Sequence, residues 1–288
     1  MKILGKKIAL YFLKLLKKEV KKIRKKRDIS LTVLLVGEST QQLSFVKIKK
    51  EIAKKIGIKF KFIHLKTPPS FEKFLRLLKE ITTDKKTTGI IIQQPLPSQL
   101  CTESLYDYLP TEKEIEGHKK KSPFLPPLGL AVLTALKYVY KGQKIDEKLF
   151  IDVKKDKEFF KRIFHNKKVV LIGRGLTGGL PIGVTLSSFK INYIGVNSKT
   201  PDRELYYREA DVIISAVGKK VLDASMLKPG VVLINVGLRK EDGRLKGDFD
   251  EKEIKNIASF YTPTPGGIGP LDVIYLYKNL LEAAKMQK

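Results

Sequence analysis

The stretch VVLIGRGLTGG, residues 169–179, decides the fold of this chain. Its apolar, mostly β-branched start reads as a buried parallel strand. The strand ends in a turn carrying Gly173, Gly175, Gly178 and Gly179, and a helix-like segment, 180–189, follows. Glycine at such a turn permits positive φ and lets a phosphate approach bare backbone. The helix N-terminus then offers unpaired N–H groups and a partial positive charge. Strand, glycine turn and helix in this order predict a dinucleotide-binding unit.

The next strand, INYIGV at 191–196, bears on the cofactor, for it ends at Asn197, Ser198, Lys199 and Thr200. A site built for NAD places Asp or Glu here to hold the ribose 2′-hydroxyl. This chain offers hydroxyls and Lys199 instead, with Arg174 inside the glycine turn. Cations and hydroxyls suit a 2′-phosphate, which favours NADP over NAD. Taken alone, Lys199 also fits an ordinary surface lysine of a lysine-rich chain.

Outward from this unit, strands are expected at 211–217 and 231–236, with a short apolar piece at 258–261. A rigid loop then carries Pro263, Pro265, Gly266, Gly267, Gly269 and Pro270, and a final helix spans 271–286. Toward the N-terminus, helices at 8–23, 41–56 and 71–81 alternate with strands at 30–36, 59–65 and 89–93. That order implies a second, smaller parallel sheet. A proline-rich boundary at 114–128 precedes a helix at 129–140. The charged stretch 141–157 reads as an exposed insertion.

Composition narrows the function classes. With 288 residues, 42% of them hydrophobic, the chain can hold two modest domains. No apolar run is long enough to cross a bilayer, and no secretory signal is evident. Cys101 stands alone, which excludes an internal disulfide and fits a cytoplasmic location. His64, His118 and His165 lie far apart, so no metal site is expected. The formal charge of +27 would attract nucleic acid or anionic membranes. The lysines spread along the chain without interleaved aromatics, however, so neither a specific nucleic acid nor a membrane is the expected partner. A basic nucleic-acid-binding module on the same fold is the remote alternative.

Several motifs together resemble the bifunctional methylenetetrahydrofolate dehydrogenase/methenyltetrahydrofolate cyclohydrolase family. They are LLVGEST…FVKIKK (34–50), GIIIQQPLP (89–97), KEIEG (113–117), LPPLG (125–129), LIGRGLTGGLP (171–181), NSKT (197–200), ADVIISAVGK (210–219), INVGLR (234–239), GDFD (247–250) and TPTPGGIGPLD (262–272). The QxPLP and PTPGGIGP strings are far more specific than the glycine turn. The resemblance implies an α/β fold of two domains. An N-terminal three-layer catalytic domain, 1–128 completed by a returning C-terminal segment at 266–288, would bind folate. A Rossmann-type domain at 129–265 would bind NADP, with the folate and cofactor sites facing one cleft.

The implied reaction oxidises 5,10-methylenetetrahydrofolate with NADP and hydrates the methenyl product to 10-formyltetrahydrofolate, within one-carbon metabolism and purine biosynthesis. A homodimer is implied as well. Lys49 matches the family's catalytic lysine; an amine beside a cationic substrate and away from bulk water suits proton transfer. Gln93 matches the glutamine that orients it, while Gln94 reads as structural. Phe45, Glu116, Pro265, Gly266 and Gly267 fall on substrate-binding positions, and Gly173, Arg174, Gly175, Ser198 and Leu238 on cofactor-binding ones.

Three departures stand out. Phe45 replaces a tyrosine, keeping the ring but losing the hydroxyl that bonds to the lysine. Glu116 replaces an aspartate and sets its carboxylate about one bond further out, and a misplacement of order 1 Å costs roughly a hundredfold in rate. The bridge after Gly117 is short and lysine-rich, and Pro126 stands where the motif usually has threonine. A weakened or dehydrogenase-only member is therefore the alternative reading.

Overall fold

The computed structural model describes residues 1–102 and 104–287; Glu103 and Lys288 lie outside the described residues. The chain divides into two compact units. The first comprises Leu13–Pro127 and the chain from Val273 onward, and the second comprises Met1–Phe12 and Leu128–Asp272.

Helix α1 (Gly5–Ile23) starts in the second unit and ends in the first. The first unit continues with β1 (Ser30–Val36), α2 (Thr40–Ile56), β2 (Lys59–Leu65), α3 (Phe71–Thr83) and β3 (Gly89–Ile92). The strands form one parallel sheet in the order β2-β1-β3. Central β1 is buried along almost its whole length, as a parallel strand covered on both faces must be, and edge strand β2 alternates with charged residues. Phe74, Leu78 and Ile81 of α3 pack on Ile90, Ile92 and Leu96. Helix α3 has no basic residue in its last turn. Lys113 supplies that charge from outside, donating to the carbonyls of Thr82 at 2.6 Å and Asp84 at 3.0 Å. The chain steps from β1 to β2 on one side and to β3 on the other, so a crevice opens at the carboxyl ends of β1 and β3.

The positive charge is less evenly spread than the sequence suggests. Lys22, Lys26, Lys61, Lys85 and Lys86 line a cavity of about 1070 Å³ at the amino-terminal edge of this sheet.

The second unit contains α4 (Pro127–Tyr140), α5 (Asp156–Phe164), β4 (Val169–Ile172), α6 (Gly179–Ser188), β5 (Ile194–Val196), α7 (Arg203–Glu209), β6 (Val212–Ser215), β7 (Val232–Asn235), β8 (Arg239–Glu241), β9 (Arg244–Lys246), α8 (Glu251–Ile254) and β10 (Phe260–Tyr261). Five parallel strands run in the order β10-β7-β6-β4-β5, over a core that includes Val170, Ile172, Ile213, Leu233 and Phe249. The switch in strand order falls between β4 and β6. Helix α9 (Ile268–Met286) closes the chain and joins the first unit from Val273. No helix among the described residues is long and apolar enough to cross a membrane.

The stretch 141–157 is exposed along most of its length, as its charge suggests, but it is pinned in its middle and near its end. Leu149 is buried, and the Phe150 ring stacks on Phe12 with centroids 3.6 Å apart. Buried Lys137 of α4 meets Asp156 at 2.6 Å and donates to the Phe150 carbonyl at 3.1 Å, while Asp156 also accepts from the Asp152 amide. Most of the charge in this stretch is solvated, whereas Asp156 is buried and anchors the segment to α4. Burial without full hydration holds the Lys137 pKa below its usual value, with the Asp156 carboxylate opposing that shift. Asp156→Ala strands a buried ammonium and should lower unfolding stability by about 3–5 kcal/mol. Denaturant melts check this, and a loss under about 1 kcal/mol would show that the pair is solvated.

Candidate functional site

In the first unit the chemistry gathers at the β1/β3 crevice. Ser39 caps α2 by accepting from the Gln42 amide. Phe45 and Lys49 then fall one turn apart on the same face of the helix, both half-buried. Gln93 follows β3 directly and is buried, its amide N–H bonded to the Leu34 carbonyl of β1. Lys49 Nζ donates to Gln93 Oε1 at 2.7 Å, and Gln93 Nε2 donates to the Gln94 carbonyl at 3.0 Å. Both hydrogen-bonding ends of the glutamine side chain are therefore engaged, which fixes the face it turns to the ammonium.

The surroundings hold this pair in place. Gln42 Nε2 ties α2 to the Pro95 carbonyl at 2.7 Å, just after the cis Gln94–Pro95 peptide. Gln94 braces the same loop, donating to the Tyr106 hydroxyl and accepting from the Leu96 amide. From α9, the Tyr277 hydroxyl donates to the Lys49 carbonyl at 2.6 Å.

Glu116 reaches the same sheet edge by strand register. Glu114 bridges in parallel to Ile90, so Glu116, two residues further on, comes level with the end of β3. Asn279 of α9 secures this segment by donating to the carbonyls of Ile115 and Leu125 at 2.9 and 3.0 Å. Buried Glu114 accepts from the amides of Glu116 and His118 at 2.8 and 3.0 Å. Burial nevertheless raises its carboxyl above the usual range. The His118 imidazole stacks on Tyr106 and lies 3.9 Å from the Glu116 carboxylate; desolvation lowers its pKa.

In the second unit the glycine turn lies at the β4/β6 switch. Gly173 has φ +103°, and a Cβ there would sit 2.8 Å from the Ala216 carbonyl oxygen. At Gly179, the first residue of α6, a Cβ would lie 1.9 Å from the Gly173 carbonyl oxygen. Gly175 has nothing within 4 Å of its Cβ position, so the mouth of the turn is open. Arg174 Nη2 donates to the Gly195 carbonyl at 2.8 Å, which anchors an exposed guanidinium beside β5. Ser198 and Lys199 are exposed in a turn closed by Asn197 Oδ1, which accepts from the Lys199 amide. Leu238 is 37% exposed. Pro265 follows a cis peptide, and the carbonyl of Gly266 accepts from the Lys6 amide, while Gly267 is buried.

Two family models match, the tetrahydrofolate dehydrogenase/cyclohydrolase catalytic domain over residues 3–116 and the NAD(P)-binding domain of the same family over residues 158–288. The chain belongs to the tetrahydrofolate dehydrogenase/cyclohydrolase family. It is 32% identical to the bifunctional protein FolD of Staphylococcus carnosus, over 99% of this chain and 96% of the relative. Among solved structures, the FolD methylenetetrahydrofolate dehydrogenase/cyclohydrolase of Campylobacter jejuni superposes with a TM-score of 0.86 at 28% identity, covering 100% of this chain and 99% of that one. A methylenetetrahydrofolate dehydrogenase of the silkworm gives 0.82 at 27% identity, covering 100% and 98%.

Within the family frame, sequence reasoning brought together Lys49 with Gln93 and Gly173 with Gly175. It missed the supports: Gln42, Tyr106, Tyr277, Asn279 and the carboxylate of Asp248. The two α9 residues are polar groups buried in a helix that also carries Asp272, Lys278, Glu282 and Lys285, so its pattern does not single them out, while Asp248 lies in the GDFD string.

Proposed function

We propose that this chain oxidises 5,10-methylenetetrahydrofolate with NADP and hydrates the methenyl product to 10-formyltetrahydrofolate. The observation that carries the reading is the 2.7 Å contact between Lys49 Nζ and Gln93 Oε1 at the carboxyl edge of the small sheet. Folate is assigned to residues 1–128 with 266–288, and the cofactor to 129–265.

The glycine turn fits a dinucleotide. Its mouth is open at Gly175, the N-terminus of α6 faces it, and Arg174, Ser198 and Lys199 are exposed beside it. Two cations and a hydroxyl suit a 2′-phosphate, which supports NADP over NAD. When bound, NADP accepts the hydride that leaves the methylene carbon.

The protein's own residues do the rest. Phe45 offers a ring face to the folate, and Glu116 accepts from the pterin's amino edge. Pro265, Gly266 and Gly267 lie against the pterin, while Leu238 contacts the cofactor. In hydration, water adds to the methenyl carbon and loses a proton. The ring C–N bond then breaks, and the departing nitrogen gains a proton. Lys49 handles these protons, and Gln93 holds the amine where one lone pair or N–H can reach the reacting carbon. The retained Lys49–Gln93 contact favours two activities over oxidation alone.

Phe45 precedes Lys49 by one helical turn, so a hydroxyl added to its ring would come within reach of the ammonium. Phe45→Tyr should raise the hydration rate several-fold and leave oxidation within about twofold. Decay of the methenyl chromophore measures the first, and an unchanged rate removes the phenol argument. The single test of the whole reading is a spectrophotometric assay with methylenetetrahydrofolate, run separately with NADP and NAD. Appearance and then decay of the methenyl absorbance is expected; no absorbance with either cofactor refutes it. The family resemblance also supports a cytoplasmic homodimer supplying formyl groups to purine biosynthesis.

A further inference from the structure

Asp248 is fully buried, and its carboxylate is met by amide and hydroxyl donors. Ser215 Oγ donates to Oδ2 at 2.5 Å, the Val217 amide to Oδ2 at 2.9 Å and the Gly218 amide to Oδ1 at 2.8 Å. A carboxylate, with acceptor sites on both oxygens, can take all three; a side-chain amide cannot, because its NH₂ would confront one of the donors. Charge taken out of water is tolerated only when such donors replace its hydration.

What the carboxylate holds is the segment after β6, on one side of the β4/β6 switch. The Ala216 carbonyl of that segment is the atom against which Gly173 of the glycine turn packs. The Asp248 amide in turn donates to Asn235 Oδ1 at 2.7 Å. Asn235 Nδ2 passes the connection on, donating to Thr264 Oγ1 and to the Gly237 carbonyl, each at 2.8 Å. One buried pair thus braces segment 216–218 through Asp248 and the residue before Pro265 through Asn235.

We propose that Asp248 is a positioning residue for NADP: through the Val217 and Gly218 amides it sets the wall of the crevice that receives the cofactor. This rests on the reading that NADP binds at the glycine turn. Oxidation needs that wall, whereas hydration of the methenyl carbon consumes no NADP. The carboxylate therefore serves one of the two activities selectively. A purely structural residue would serve both.

The test uses the full-length protein and its Asp248→Asn, Ser215→Ala and Arg174→Ala variants. Asp248→Asn should raise the NADP dissociation constant, read by calorimetry, and the KM for NADP about tenfold, with hydration measured without NADP kept within twofold. Hydrogen exchange in the ligand-free protein should quicken at the Val217 and Gly218 amides. Ser215→Ala, which removes one donor and keeps the carboxylate, should raise the NADP constants about threefold, and it decides the matter if Asp248→Asn does not fold. Equal losses of oxidation and hydration, or an unchanged NADP affinity while Arg174→Ala weakens it, overturn the proposal alone. If neither Arg174→Ala nor Asp248→Asn alters NADP affinity, the cofactor site itself is misassigned and the proposal falls with it.

Discussion

Methenyltetrahydrofolate mixed with the Lys49→Met protein should persist, its hydration slowed about 10²–10⁴-fold, the range a positioned proton-transfer group contributes. Methionine keeps the apolar stem of the lysine and is one atom shorter, so the packing of α2 is preserved. The Tyr277 hydroxyl bonds to the backbone carbonyl of residue 49 and is indifferent to the side chain. The variant should therefore melt with the parent protein, and oxidation should fall much less than hydration. Decay of the methenyl absorbance in single-turnover mixing measures the effect. Hydration within twofold of the parent rate would take Lys49 out of the proton path and leave the Gln93 contact without a chemical purpose.

Gly179→Ala should abolish measurable NADP binding and lower stability by about 1–3 kcal/mol, the usual penalty of overpacking. The new Cβ would stand 1.9 Å from the Gly173 carbonyl oxygen, 2.5 Å from its carbon and 3.0 Å from the Arg174 amide nitrogen. All three atoms belong to backbone, so no side-chain rotation relieves the overlap and the turn must open. A displacement of about 1 Å in a positioning element costs on the order of a hundredfold. Gly175→Ala is the contrasting variant: its Cβ meets nothing within 4 Å, so stability should hold while affinity falls through obstruction of the open mouth. Calorimetric titration with NADP and thermal melts separate the two. Normal NADP binding by Gly179→Ala would show that the turn is not the cofactor's seat.

The sheets were legible because their signals are local. SLTVLLV and KFKFIHL mark β1 and β2 at their observed limits, since an unbroken apolar run and a charged edge strand each declare their burial. The glycine turn was legible for the same reason. The association of Lys49 with Gln93 depends on strand order, and only the family motifs anticipated it. What composition hides is burial earned by a distant partner. Asp156 looks solvated until Lys137, nineteen residues earlier, is placed against it. Helices α7 and α8 are too short to display a period. The β8–β9 hairpin carries a readable Asp242-Gly243 turn, both residues at positive φ, yet its charged strands lack an apolar face to announce them. Asp248 escaped because one acid among several in GDFDEKE predicts nothing until its three donors are known.

Helix α9 gives the folding of this chain a direction in time. Tyr277 and Asn279 complete the surroundings of Lys49 and of the 115–125 segment, and they are synthesised only after residues 128–272. Residues 128–272 form an uninterrupted stretch that can assemble while the ribosome is still attached, since domains generally fold as they emerge. The unit proposed for folate waits for the chain from Val273 onward. A nascent chain stalled before Val273 would carry an organised nucleotide half alongside an unfinished catalytic one.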